Sequence, residues 1–507
     1  MKFNRIKNAR RNIIFGVLNK IVMLVFPFII RMVMIRILGA EYLGLGSLFH
    51  SILHVLNITE LGFSSAVVYS MYKPIAENDT DTLCAILNFY RKVYCCIGII
   101  IAIIGGLLLP FLPKLINGEY PSDINIFILY LIYLSATVVS YILFAYKNSL
   151  ISAYQRSDII SNINTIVHVF SYGIQLVILI LTKNYYLYAI ILVVAAIIQN
   201  IFTEISSRRL FPTIFCKGKL KIEIKNEIKE KVKGLFINKL CQVSRNSFDS
   251  IFVSAFLGLT QTAIYNNYYY IMSSVIAMLG IISPSILAGV GNSIVTETQQ
   301  KNYSDMKKFN FIYMWLSGWC TVCLVCLYQP FTEMVFGKEM LFPFSVVVLF
   351  CVYFYALKMG DIRCVYSDAK GLWWENRYRA IIEAILNILL NFFLGKVWGI
   401  YGIIIATIIS IFFINFIWGS TIIYKYYFTE IKISEYYLLH LLYALITLIA
   451  CIVTGYLCYI LPLERLLGFI VKIMICLVIP NLLFYLFYRR TSMYLEAKMI
   501  LLNLRKH

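Results

Sequence analysis

Charge is scarce in this chain. Asp, Glu, Lys and Arg together make up 14% of its 507 residues, against 61% apolar, too little to cover the surface of a water-soluble protein of this length. Strict alternation of polar and apolar residues is also missing, which excludes a membrane β-barrel, whose strands change face at every residue. No G-x-S-x-G, P-loop or H-E-x-x-H stands in the context its chemistry requires, and no energising ATPase domain is present. The chemistry therefore reads as translocation rather than catalysis.

Three partial signals have bland readings beside the sharp ones. Thirteen cysteines are present, but most lie inside apolar runs and do not form a disulfide framework. Cys320, Cys323 and Cys326 make a C-x2-C-x2-C string, as in metal or iron–sulfur sites. With no fourth ligand in sequence reach, the string reads as three small apolar side chains near one helix face rather than a metal site. His50 and His54 share a helical face, half of a metal site, but no carboxylate or third ligand accompanies them on that helix, so no metal is expected. Asp79-Thr80-Asp81 is a D-x-D, the metal–nucleotide-sugar signature of many glycosyltransferases, yet it falls in a short loop on the inner side, wrong for lipid-linked sugar transfer.

What is there is apolar length. Mean hydropathy is +0.79, and stretches near 20 residues recur, each enough to cross roughly 30 Å of hydrocarbon as helix. The expected spans are 13–38, 43–70, 93–112, 124–146, 158–181, 185–207, 234–258, 265–290, 309–329, 342–362, 379–396, 400–423, 436–460 and 466–488. The fold class is an all-α polytopic membrane protein of about fourteen helices. The first run follows a basic segment and is expected to be a retained helix, being too long for a signal peptide.

An even count puts both termini on one side. The segments on that side carry 33 Lys and Arg, whereas the opposite loops hold only Lys114, Lys183, Lys338, Lys396 and Arg465. This bias predicts cytoplasmic termini and explains the net charge of +20 as a topology signal. Nucleic acid is not an expected partner, since no basic patch is interleaved with exposed aromatics. Aromatics, 16% of residues, including Tyr265, Tyr268, Tyr269 and Tyr270, are expected mostly in interfacial belts.

Asn19-Lys20 and Leu38-Gly39 recur as Asn238-Lys239 and Leu257-Gly258, both displaced by 219 residues. The repeat divides the chain into an N-terminal lobe (1–212), a basic cytoplasmic linker (213–233), a C-terminal lobe (234–430) and a final helix pair with a tail (431–507). Ile224, Ile228 and Val232 recur every four residues in the linker, consistent with an amphipathic helix on the anionic leaflet or a solvated connection.

Ionisable residues at membrane depth are costly and mark cavities or pathways by default. They concentrate in the first helix of each half: Lys20, Arg31 and Arg36, then Lys239, Arg245 and Asp249. Arg245 and Asp249 share a face and can pair. The lysines and arginines either face a cavity or snorkel to headgroups. A cavity of this sign favours an anion, and guanidinium forks suit phosphate oxygens. Glu60, Glu204, Lys358, Asp361, Glu383 and Lys472 are further buried charges. Lys358 and Asp361, three apart, are expected to neutralise each other, and Glu60 and Glu383 are either coupling sites for H+ or Na+ or helix-end residues.

The run Leu38-Gly39-Ala40-Glu41-Tyr42-Leu43-Gly44-Leu45, then Glu60-Leu61-Gly62-Phe63, Tyr72-Lys73-Pro74-Ile75-Ala76 and Asp249-Ser250-Ile251-Phe252-Val253-Ser254 resembles a known family. So do Tyr265-Asn266-Asn267-Tyr268, Gly371-Leu372-Trp373-Trp374-Glu375-Asn376-Arg377-Tyr378-Arg379 and Gly399-Ile400-Tyr401-Gly402. Over residues 38 to 402 the chain resembles the Wzx-type polysaccharide flippases of the multidrug/oligosaccharidyl-lipid/polysaccharide (MOP) exporter superfamily. The resemblance implies two six-helix lobes in a V around a central cavity, with two extra C-terminal helices. It implies transport of undecaprenyl-diphosphate-linked oligosaccharide for O-antigen, capsule or exopolysaccharide, with membrane lipids and the pathway's polymerase and glycosyltransferases as partners and no cofactor. Lys20, Arg31, Lys239 and Arg245 would then hold the diphosphate, and Asp249, Glu60 and Glu383 would serve coupling or ion pairing. A lipid II flippase, a drug/cation antiporter of the same superfamily and a membrane polymerase or glycosyltransferase are the alternatives. The last class needs a large outer loop, and the longest here is about a dozen residues.

Overall fold

The computed structural model describes residues 5–57, 63–118, 120–460 and 465–496, and among these the chain is helical, without strands. It separates into two compact units, residues 1–263 and 264–507. The first holds α1 (Arg5–Ile37), α2 (Ala40–Leu56), α3 (Phe63–Glu77), α4 (Thr80–Leu107), α5 (Ile126–Ile142), α6 (Lys147–Ala153), α7 (Ser157–Thr182), α8 (Tyr185–Leu210) and the larger part of α9 (Ile222–Leu279). The second holds the rest of α9, then α10 (Ile282–Thr296), α11 (Gln299–Phe336), α12 (Phe344–Met359), α13 (Asp361–Lys370) and α14 (Arg377–Ile409). A π-helical turn at Ser410–Trp418 leads to α15 (Gly419–Tyr426), followed by α16 (Ile433–Ile460) and α17 (Arg465–Tyr488).

Large apolar side chains face outward: Leu181 is 76% exposed, Val397 72% and Phe170 69%. In water such a surface would aggregate; in hydrocarbon it is the favoured one. The polar residues turn inward instead. The tyrosines follow them, which corrects the expected belt for part of the set. Among the described residues, nine of the twelve largest fully buried side chains are tyrosines, Tyr265 and Tyr268 among them. Burial is tolerated because the hydroxyls bond inside: that of Tyr268 donates to Gln329 at 3.2 Å and accepts from the Phe342 amide at 3.3 Å.

Among the described residues, ten helical runs are long and apolar enough to cross a membrane, or eleven if the bent pair Ile126–Ile142 and Lys147–Ala153 is one span. Each of the fourteen expected segments nevertheless coincides with helix over most of its described length. The counts differ because α14 carries two expected spans joined through Gly399 (φ 55°, ψ −130°). α9 likewise runs through Gly258, and segment 43–70 is divided between the short α2 and α3.

The sequence repeat has a conformational counterpart. Gly39 has φ 116° and ψ 168°, and Gly258 has φ 86° and ψ 179°, a region open essentially to glycine alone. At each, one helix stops and the next starts. The break in α9 frees carbonyls, and Asn117 takes two of them: its amide N–H donates to Ser254 at 3.0 Å and its Nδ2 to Phe256 at 2.6 Å.

In the first unit α1 packs on α7, α7 on α8, α8 on α5 and α5 on α4. The expected linker is not a separate helix. Positions 211–221 lie against α4, where Asn88 Nδ2 donates to the Gly218 carbonyl at 2.9 Å. From Ile222 the chain is already α9, with Ile228 buried. In the second unit α11 is central, contacting α10, α12, α16 and α17.

Candidate functional site

α1 carries Pro27 and Arg31, four residues apart and therefore on one helical face. Both line a cavity of about 380 Å3 enclosed by α1, α2, α5, α7 and α8, all in the first unit. Facing Arg31 from the other helices are His50, Tyr133, His168, Tyr185 and Tyr188. A second cavity of about 570 Å3 shares His50 and Tyr133 with the first. Both volumes fall in the range of small-ligand sites.

Close packing holds this wall in place. The hydroxyls of Tyr133 and Tyr185 lie 3.0 Å apart, so one donates to the other. They fit against α2 only because position 46 is glycine: a Cβ there would stand 2.5 Å from the Tyr185 hydroxyl and 3.0 Å from that of Tyr133. The Tyr185 and Tyr188 rings stack at 5.5 Å, His168 stacks on Tyr172 at 5.3 Å, and His50 meets the Tyr133 ring edge-on at 5.1 Å. Gln175, almost fully buried, donates to the Tyr188 carbonyl at 3.2 Å. Among the described residues lining the cavity there is no aspartate or glutamate. A guanidinium, two imidazoles, phenols and amides offer donors for anionic or sugar oxygens and flat faces for sugar rings.

The other expected site residues are dispersed. Lys20 and Arg36 are exposed on α1, and Asp249 is buried on α9. The side chains of Lys239 and Arg245, also on α9, lie outside the described residues, as does Glu60. Glu383 is buried in the second unit, accepting from Arg379 Nη1 at 2.9 Å and Asn415 Nδ2 at 3.1 Å. Lys358 pairs with Asp361 at 2.6 Å, as their spacing predicted. Glu204 is bridged by Lys147 and Arg208. The D-x-D has a local role, Asp79 capping α4 by accepting from the Thr82 amide at 2.9 Å and its hydroxyl at 2.5 Å. Those bonds, the hydroxyl's first, hold the Asp79 carboxyl below its ordinary pKa.

No protein-family model matches the chain, and no curated protein does. Solved structures do match. The lipid II flippase MurJ in an inward closed conformation aligns with TM-score 0.64 at 15% identity, over 94% of this chain and 99% of that one. An inward-facing multidrug resistance MATE transporter of the MOP superfamily gives 0.62 at 14% identity, over 78% and 93%. A Vibrio cholerae MATE transporter, VcmN, gives 0.57 at 13% identity, over 83% and 97%.

The fold is that of the MOP-superfamily transporters. These neighbours are transporters and a flippase, not enzymes.

Within this MOP fold the residues missed by sequence reasoning are the aromatic and histidine partners of Arg31. His50 was visible beside His54; both line the second cavity, but only His50 also lines the Arg31 cavity, and His54 Nδ1 lies 2.9 Å from the Ser247 hydroxyl. The Tyr185-Tyr186-Leu187-Tyr188 run was also on the page. Its position at a helix start fits an interfacial belt as well as a cavity wall, so periodicity alone does not separate them.

Proposed function

We propose that the protein is a flippase carrying an undecaprenyl-diphosphate-linked oligosaccharide from the inner to the outer leaflet of the bacterial cytoplasmic membrane, for surface polysaccharide assembly. The observation that carries this reading is the Arg31 cavity: cationic, rich in phenol and amide donors, and without a carboxylate in its described lining. It is supported by a fold shared over almost the whole chain with a lipid II flippase. Arg31 would hold the diphosphate, with Lys20, Lys239 and Arg245 as further cationic contacts along the path. Asp249 would pair with Arg245 or sense a coupling H+ or Na+. Tyrosine rings would stack on sugar faces.

The test uses cells lacking their own oligosaccharide flippase, complemented with wild type or with Arg31→Ala, Lys20→Ala, Lys239→Ala or Arg245→Ala at matched membrane abundance. Wild type is expected to restore surface polysaccharide, and Arg31→Ala to lower it by about tenfold or more, the scale of losing one desolvated charged hydrogen-bond partner. Full rescue by Arg31→Ala would remove the cavity from the mechanism. Export of a cationic dye without glycan rescue would replace the reading with a drug transporter.

A further inference from the structure

The second unit contains a thiol cluster that the transport reading does not use. Cys326 on α11, Cys458 on α16 and Cys476 on α17 bring their sulfur atoms within 4.8 Å of one another, and all three side chains are buried. Cys323 stands one turn before Cys326 on α11. Helical spacing alone assembles only the cysteines of α11, whose string lacks a further ligand in sequence reach. Packing of the last two helices against α11 supplies two.

Three thiols at this spacing suit an ion better than a disulfide. A thiophilic cation with sulfur at about 2.3 Å in a trigonal plane sets the sulfurs roughly 4.0 Å apart, so small side-chain adjustments from the observed spacing suffice. A disulfide needs about 2.05 Å between two sulfurs and leaves the third without use. Three soft donors in an apolar wall select soft d10 ions over hard ones.

Charge and access point the same way. Three thiolates around a monovalent ion leave excess negative charge at membrane depth. Lys472 stands four residues before Cys476, on the same face of α17. It lines an apolar groove of about 960 Å3 together with Cys326, Cys451 and Cys458. The groove opens a route to Cys326 and Cys458, which line it beside that lysine.

We propose that Cys326, Cys458 and Cys476 bind one soft thiophilic cation of the Cu(I) class, clasping α16 and α17 to α11, with Lys472 offsetting the thiolate charge. Each coordinating sulfur gives up its proton to solvent as the ion binds. Occupancy would fix the three helices that wall the groove without involving the Arg31 cavity of the first unit.

The full-length protein, purified reduced and anaerobically in detergent, would be titrated with Cu(I) buffered by bathocuproine disulfonate. Wild type is expected to retain one Cu(I) per chain through gel filtration, with X-ray absorption giving three sulfur neighbours at about 2.3 Å. Retention should be lost in the Cys326→Ser/Cys458→Ser/Cys476→Ser variant, kept in Cys95→Ser, and weakened about tenfold or more in Lys472→Met. Failure of wild type to retain copper, equal retention by the triple variant, or fewer than three sulfurs around the metal would overturn the proposal. So would a disulfide between any two of the three cysteines in protein alkylated at lysis. If the triple variant does not fold, the sulfur count in wild type decides alone. The readout is metal, not glycan, so it stands apart from the flippase test.

Discussion

At the scale of single residues, the clearest division is between charges that pair and charges that line space. Glu383 is 1% exposed and held by Arg379 and Asn415. Removing one partner of such a pair leaves the other charge buried without compensation, at about 3–5 kcal/mol. Glu383→Ala is therefore expected to lower the unfolding temperature markedly, measured by fluorescence-detected melting in detergent. Arg379→Ala should match it, and the double variant should recover part of the loss. Transport lost at unchanged melting temperature would instead assign Glu383 to coupling. Asp79 gives a milder case outside the membrane. Its carboxyl is held below its ordinary pKa by Thr82, so the cap stabilises α4 above the ordinary carboxylate range and is lost as pH falls through the depressed folded-state value. The protection of the Thr82 and Leu83 amides against exchange, relative to their intrinsic rates, should fall below that range in wild type and be already low at neutral pH in Asp79→Ala.

At the scale of elements, glycine decides where helices break. A Cβ at Gly258 would lie 2.7 Å from the Asn117 carbonyl oxygen, and the backbone there is in a region other residues avoid. Gly258→Ala is expected to cost at least about 1–3 kcal/mol, with a lowered melting temperature. Gly106→Ala, in helical backbone with nothing within 4 Å, should be neutral or slightly stabilising. An unchanged melt for Gly258→Ala would mean that α9 runs straight. The paired recurrence of Leu38-Gly39 and Leu257-Gly258 made this break legible before any coordinate, because a helix-stopping glycine leaves a sequence mark. The apolar spans were legible for the same reason: length and hydropathy are local properties. The Arg31 cavity was only half legible. Arg31 is conspicuous as a charge in an apolar helix, but its partners come from four other helices at sequence distances that no period connects. The thiol cluster was illegible in the same way, its ligands lying on three helices.

At the scale of the molecule, charge arranges itself by side. In the first unit the described ion pairs gather where segments expected on the inner side begin or end: Arg11 with Asp158 at 3.1 Å, Arg156 with Asp158 at 2.9 Å, and Lys147 and Arg208 with Glu204. In the second unit Lys301 and Lys308 meet Asp305, Lys308 also meets Glu496 at 3.0 Å, and Lys307 meets Glu435 at 2.9 Å. These are the ends of α1, α6, α7, α8, α11 and α16 that the positive-inside rule assigns to the cytoplasm. Among the described loops expected outside, the recorded pair is Lys338 with Glu333 at 3.6 Å, both well exposed. Lys147, Asp158 and Glu204 are buried, whereas the more exposed pairs contribute little stability each, and their one-sidedness reflects the excess of basic residues on that side. An epitope inserted at Gly218 or appended to the C-terminus should therefore react with antibody only after spheroplasts are permeabilised. One inserted after Tyr120 should react on intact spheroplasts. The reverse pattern would put Lys217, Lys219 and Lys221, which stand exposed, on the outer side and would contradict the proposed direction of transport.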